Sequence, residues 1–303
     1  MSLLAEQLLN GVQLGVMLFL MAAGLTLVFG ILGLINLAHG SLYMAGAYAA
    51  ALAAAYLPWF ILAVLCGVVA AALLGLAIEA SVIRALYRRP HLDQVLATFG
   101  LIMIVNESAS LLFGRQPLRV AVPDALGGAV WLFGVPYPAY RLVIIAAGLV
   151  VALGLWGLIN RSRIGALVRA SASDREIVAA MGVPVRLLSA TIFALGAGLA
   201  GLAGALIGPI ASVEIGMGER ILITTFVVIV IGGIGSIRGA FAGAMLVGLV
   251  DTMARAYLPD LLRAVMAGSE ADALAGGLSS MMVFVLMAVV LLARPRGLFP
   301  AHA

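Results

Sequence analysis

No lysine occurs in this 303-residue chain, and all 17 basic residues are arginine. Two chemistries are thereby excluded. A phosphate-binding loop sets a lysine on the β- and γ-phosphates of its nucleotide, so the chain does not hydrolyse ATP by that route. Schiff-base catalysis needs a lysine amine. The single cysteine, Cys66, lies in an apolar run and leaves no internal disulfide. The three histidines, His39, His91 and His302, are too far apart in sequence to give metal-ligand spacing. Charge is scarce, with 10% Asp, Glu, Lys and Arg where soluble domains carry about 25%. No HExxH, GxSxG or Ser/His/Asp pattern occurs, so no catalytic or metal-binding residue is assigned and the chain does not read as an enzyme. "IGGIGSIRG" (231–239) has the look of a phosphate loop, but it lacks GK[ST] and follows an apolar run.

What is present is 64% hydrophobic residues in long runs. In lipid, backbone polar groups must be satisfied within the spanning segment, which predicts an all-α polytopic membrane bundle. Candidate spans lie near 8–32, 37–57, 60–83, 92–113, 140–159, 187–208, 221–236, 239–257 and 278–293. The second is rich in Ala and Gly and follows "GLINLAHGS", which reads as a turn, a broken helix or a re-entrant segment, so eight and nine crossings both remain open. No soluble domain fits between these runs, and residues 1–303 are expected to form one transmembrane domain. The start carries Glu6 and no basic n-region, so it does not read as a cleaved signal peptide.

The net charge is +4, but the arginines are scattered between apolar runs, which points to membrane topology rather than to nucleic acid. "RALYRRPH" (84–91), the island 160–186 and the tail "RPRGLFP" hold most of them and are expected on the cytoplasmic side. The connections 114–139, 209–220 and 258–277 are expected to face outward. Nine spans place the N-terminus outside and the C-terminus inside. Small residues recur four apart at Ala194/Gly198, Ala197/Gly201, Gly204/Gly208 and Gly239/Gly243, the pattern of close helix packing in lipid. "GILGLINLAHGSLYMAGAY" and "GGIGSIRGAFAGAMLVGLV" share a weak echo, a Gly-rich turn running into a small-residue helix.

Polar residues within such runs are candidates by default. Glu107, next to Asn106, falls in a predicted span, where a charge costs at least ~2.5 kcal/mol without a partner or a cavity. It reads either as a substrate-path group or as a helix-bundle hydrogen bond. Asp251 has Arg255 four residues on, the spacing of an ion pair along one helix face. Thr224 and Thr225 open a span, where their hydroxyls either line a path or bond back to their own helix. His39, near Asn36 and Gly40, reads first as a turn residue.

The largest polar island, "NRSRIGALVRASASDREIVAAMGVPV" (160–185), reads as two short helices. Ile164, Leu167 and Val168 share a face of the first. Ser173 with Glu176 three residues later forms a capping box for the second, and Asp174 suits its positive end. Ile177, Ala180 and Met181 give that helix an apolar face. Gly182 takes a left-handed stop and Pro184 prevents continuation. The apolar face needs a cover from the bundle, the lipid interface or another protein.

Three stretches together resemble the permease subunits of branched-chain amino-acid ABC transporters, the smaller LivH type. "GLTLVFGILGLINLAHGSLYMAGAYAA" is similar to the first signature of that family, with its turn at Asn36, His39 and Gly40. "RIGALVRASASDREIVAAMGVPVRLLSATIFALGAGLAGLAGALIG" is similar to its loop and the following Gly/Ala helix, and "VVIVIGGIGSIRGAFAGAMLVGLVD" to its last Gly-rich segment, with Asp251 as the acid. The resemblance implies an ATP-driven importer of the bacterial inner membrane. In it, a short cytoplasmic helix of the permease rests in an ATPase cleft. Here that element spans about 170–185 within a coupling loop of about 160–186, whose coupling residues are Arg169, Ser173, Asp174, Arg175, Glu176, Met181 and Gly182.

The resemblance also implies the partners: a second permease subunit, two ATP-binding cassette subunits and a substrate-binding protein. This chain would bind no cofactor, and ATP would be used by the partners. The solute path is expected between the two permeases, with Asn36, His39, Glu107, Thr224, Thr225 and Asp251 as candidate lining residues. The connection 257–280 looks longer than is usual in the family. Family members also import urea, short amides and aromatic acids, and a gradient-driven transporter or channel is the rival from another class.

Overall fold

A computed structural model describes residues 2–87, 89–132, 134–266 and 268–300. Helix α1 (Ser2–Leu32) ends where Gly33 takes a left-handed φ of 61° and its N–H donates to Phe29 O at 2.9 Å. Residues 33–38 are non-helical, and α2 (His39–Tyr56) begins from a turn in which Asn36 Oδ1 accepts from Ala38 N at 3.1 Å. Pro58 separates α2 from α3 (Phe60–Ile78), which passes through a π-helical turn, Glu79–Ile83, into the short α4 (Arg84–Leu86). Then follow α5 (His91–Phe113), strands β1 (Ala129–Leu132) and β2 (Val135–Pro138), α6 (Ala139–Arg161), α7 (Arg163–Ser173) and α8 (Arg175–Ala180). The chain closes with α9 (Val185–Ile207), α10 (Met217–Gly232), α11 (Ile237–Arg263) and α12 (Gly268–Ala293).

The all-α polytopic expectation holds, with one antiparallel hairpin, β1–β2, added between α5 and α6. Among the described residues, seven helical stretches are long and apolar enough to cross a membrane. The two expected spans outside that set correspond to α2, 18 residues, and α10, 16 residues. At about 1.5 Å per residue, α10 falls short of a hydrocarbon core of ~30 Å.

The connection expected at 258–277 is a correction. Helix α11 runs on to Arg263 through Pro259, and α12 already begins at Gly268. Arg263 pairs with Asp260 at 3.1 Å and with Asp272 at 2.8 Å. The polar residues that made the stretch look like a loop are therefore ion-paired along and between two helix ends.

The chain divides into two compact units. One comprises residues 1–22, 124–149 and 224–301. There Gly11 and Gly15 of α1 meet Gly248 and Leu249 of α11 so closely that a Cβ on Gly248 would overlap the backbone at Gly15. Phe19 and Phe241 pack edge to face with centroids 5.2 Å apart. The tail returns onto α10, Leu298 N and Phe299 N donating to Ile231 O and Gly232 O at 2.8 and 2.9 Å.

The other unit comprises 23–123 and 150–223. Its core is α2, α3 and α9, joined through Gly46, Gly67, Ala71, Ala197 and Gly201. A Cβ on Gly46 would overlap the Gly201 backbone. The small-residue spacing read from α9 thus serves close helix packing. Buried Tyr48, Phe193, Leu42 and Met44 fill the space around it.

Candidate functional site

Helices α7 and α8 are built by their caps. Ser162 Oγ accepts from Gly165 N at 2.9 Å and starts α7. The expected capping box at Ser173 is a correction, because Asp174 caps α8. One oxygen of Asp174, Oδ1, accepts from both Glu176 N and Ile177 N at 2.9 Å. Ser173 instead remains the last residue of α7. A carboxylate satisfies two orphan donors and opposes the positive helix end, which a hydroxyl does less well.

The stop at Gly182 has the geometry of a Schellman motif. Its φ is 84°, its N–H donates to Ala179 O at 3.1 Å, and Val183 N donates to Val178 O at 3.4 Å. Val178 is the residue of α8 that turns inward. Ile177 and Met181 are 60% and 77% exposed. On α7, Gly165, Val168 and Ser171 are buried, while Ile164 and Arg169 are exposed. The apolar face of α8 is left open.

A polar network ties α8 to its own unit. Arg175 Nη2 donates to Ser189 Oγ of α9 at 2.8 Å, and its guanidinium lies 4.8 Å from the centre of the Tyr87 ring. Tyr87 donates its hydroxyl proton to Glu79 Oε1 at 3.0 Å, and Arg84 Nη2 donates to Glu79 Oε2 at 2.8 Å. Glu79 is fully buried, so it depends on these donors. Burial and the neighbouring carboxylate, in that order, push the Tyr87 phenol above its ordinary value, which keeps the hydroxyl a donor.

Sequence reasoning missed Glu79. Its signal was an arginine five residues on. That spacing separates two side chains around an α-helix, but the π turn at Glu79–Ile83 brings them to one side. Gln94 was missed as well. Buried at the start of α5, it accepts from Ile35 N at 3.4 Å and donates to Leu86 O and Arg89 O at 3.3 and 3.1 Å, joining three segments.

The candidate path residues fall in different surroundings. Asn36 and His39 are buried at the turn before α2, with His39 against Gly24 of α1. Glu107 is on the exposed side of α5, 64% exposed, with Arg115 at 4.0 Å. Its neighbour Asn106 makes the inward contact, Nδ2 donating to Glu219 Oε1 of α10 at 2.6 Å. Both Asn106 Oδ1 and Glu219 Oε2 are buried without a hydrogen-bond partner. Thr225 is fully buried and Thr224 half-buried.

Asp251 and Arg255 form the expected pair, joined by two hydrogen bonds of 2.9 and 3.0 Å. They border a pocket of about 390 Å³ with Gln7, Asn10, Gln13 and Arg141. A second pocket, of about 420 Å³, lies at the start of α10, between Tyr43, Ser212, Glu214 and Arg220. Among the described residues, no group of histidine, cysteine or carboxylate side chains could hold a metal ion.

Comparison with known proteins adds the family. The model of the branched-chain amino acid transport system permease component matches residues 7–292. The chain is 29% identical to the high-affinity branched-chain amino acid transport system permease protein LivH of Escherichia coli K12, over 97% of this chain and 94% of that one. It is 30% identical, with the same coverage, to the permease protein BraD of Pseudomonas aeruginosa. The fructose import permease protein FrcC of Rhizobium meliloti is 32% identical over 62% of this chain and 54% of its own. No solved structure matches. With a match over nearly its whole length, the chain belongs to the family of branched-chain amino acid transport system permease components.

Proposed function

We propose that this chain is an inner-membrane permease subunit of an ATP-driven importer for branched-chain or related amino acids, with no catalytic site of its own. It pairs with a second permease subunit, two ATP-binding cassette subunits and a substrate-binding protein. The observation that carries the reading is the open face of α8. Ile177 and Met181 stand exposed on a short helix capped by Asp174 and stopped by Gly182, in a loop that carries five arginines between 161 and 186. A small apolar knob with charged flanks suits insertion into a protein cleft. The lack of lysine agrees, since ATP hydrolysis then belongs to another chain.

Movement of that knob, driven by the ATPases, reaches the bundle through Arg175. The arginine joins α8 to α9 by way of Ser189 and to the end of α4 by way of Tyr87. The translocated solute then meets alternating openings along the permease pair. Uptake by the assembled importer in proteoliposomes tests this. We expect accumulation of leucine that needs ATP and the ATPase subunits. Uptake that follows a proton gradient without them would instead favour the gradient-driven alternative.

A second reading keeps the machinery and changes the solute. The match to a fructose import permease shows that relatives of this chain are named for solutes other than amino acids, and the family resemblance extends to urea, short amides and aromatic acids. The solute retained by the cognate binding protein decides between them.

A further inference from the structure

We propose that the pocket at the start of α10 is the seat of an α-amino-acid zwitterion with an aliphatic side chain. This inference rests on the amino-acid reading above and names where the permease holds the solute. The pocket measures about 420 Å³, within the roughly 300–1,000 Å³ of small-molecule sites. Its lining is chemically mixed. Glu214 and Arg220 carry opposite charges and pair with each other, and Tyr43, Met217 and Ile221 add apolar lining.

The backbone builds this arrangement. Val213 and Leu118 exchange hydrogen bonds of 2.8 and 2.9 Å in an antiparallel bridge, which makes the stretch locally extended. Val213 is fully buried. Ser212 and Glu214, on either side of it, therefore share the opposite face and line the pocket together. Gly216, at a φ of 86°, turns the chain into α10, whose first turn offers Met217, Arg220 and Ile221 to the same space. That turn is held in place on another side. Gly218 lies in backbone contact with Gly40, one turn before Tyr43, and Glu219 accepts from Asn106 at 2.6 Å.

Glu214 and Arg220 form an ion pair whose side chains are 34% and 65% exposed. Such a pair adds little to folding, and its members are free to exchange partners. A zwitterion presents the matching groups: its carboxylate fits the fork of the Arg220 guanidinium, and its ammonium fits Glu214. Site and solute are both neutral overall, so neither leaves a net charge stranded. The aliphatic side chain then rests on Met217 and Ile221. Met217 adapts its shape, and a methylene more or less is weakly discriminated in an apolar pocket, so related aliphatic amino acids share the site. The pocket beside Asp251 suits this solute less. Its acid, Asp251, has a side chain only 14% exposed and is closed by two hydrogen bonds from Arg255.

The test uses the complete importer in proteoliposomes, with its own binding protein and radiolabelled leucine as probe. Glu214→Gln and Arg220→Gln should each lower the maximal rate of leucine uptake at least tenfold while the complex still assembles and hydrolyses ATP. The double exchange Glu214→Arg with Arg220→Glu restores the ion pair but exchanges the positions of its two charges, so uptake should stay low. Ile221→Ala should reduce leucine uptake more than alanine uptake. Recovery of uptake in the double exchange would show a merely structural pair and overturn the proposal, as would unchanged uptake in both single variants. If the unaltered importer moves no leucine at all, the amino-acid reading itself fails, and the proposed occupant with it. Where a single variant does not assemble, Arg220→Lys keeps the charge without the fork, and undiminished uptake there overturns the carboxylate contact.

Discussion

The guanidinium of Arg175 stacks 4.8 Å from the ring centre of Tyr87 while donating to Ser189 Oγ at 2.8 Å. One side chain thus fastens α8 to two other segments of the same unit. The contact also reaches a buried acid, because the Tyr87 hydroxyl donates to Glu79.

Replacing Arg175 by Met removes both attachments but keeps length and apolar bulk. A cation–π contact contributes ~0.5–1 kcal/mol and a hydrogen bond to a charged group ~1.5–3 kcal/mol. We expect a modest fall in thermal stability and a several-fold loss of solute uptake per ATP hydrolysed, with the ATPase subunits still bound. Tyr87→Phe keeps the ring under Arg175 and loses only the donor to Glu79. It should cost ~1–3 kcal/mol in a thermal or denaturant melt, because the buried carboxylate is left one partner short.

Asp174 and Ser173 differ sharply in what they hold. Asp174→Ala removes a cap that accepts from two amides and should destabilise α8 by ~0.5–2 kcal/mol. Ser173→Ala should leave it nearly unchanged. Hydrogen exchange at the Ile177 and Val178 amides measures the difference. Equal protection in the two variants would mean that the cap is immaterial.

Gly182 tests backbone strain without crowding. A Cβ there meets no atom within 4 Å, so any cost of substitution comes from its φ of 84°. A left-handed φ costs an ordinary residue roughly 1–2 kcal/mol and a β-branched one more, whereas asparagine tolerates it. Gly182→Val should therefore weaken co-purification of the ATPase subunits and transport, and Gly182→Asn should retain both.

Substitutions at the neighbouring Glu107 and Asn106 should respond differently. Glu107 is exposed and 4.0 Å from Arg115, a contact worth ~0–1 kcal/mol, so Glu107→Gln should melt like the parent protein. Asn106→Leu leaves the Glu219 carboxylate without its amide donor and should lower the melting temperature measurably. Altered uptake in Glu107→Gln with unchanged melting would support the path role expected for that residue.

The reading from sequence reached the long helices because lipid makes apolar length almost sufficient to define them. It also reached the Asp251–Arg255 pair and the Gly182 stop, since both depend on near neighbours in the chain. It went astray at Ser173, where two adjacent oxygens compete for the same amides and only the backbone path selects Asp174. It misjudged 258–277 because ion pairs between helix ends leave no local signature. Glu79 was hidden by a π turn that changes which spacing counts as one face.

Composition and periodicity alone therefore pointed to a helical, polytopic membrane protein, since that conclusion rests on apolar length and local spacing. The family followed from ordered motifs along the chain. Only the tertiary structure decided which polar residues meet. Glu79 with Tyr87 and Arg84, Asn106 with Glu219, and Glu214 facing its pocket beside Ser212 are consequences of close helix contacts and one extended bridge. Side chains 113 residues apart, as at Asn106 and Glu219, are joined by packing that no local pattern encodes.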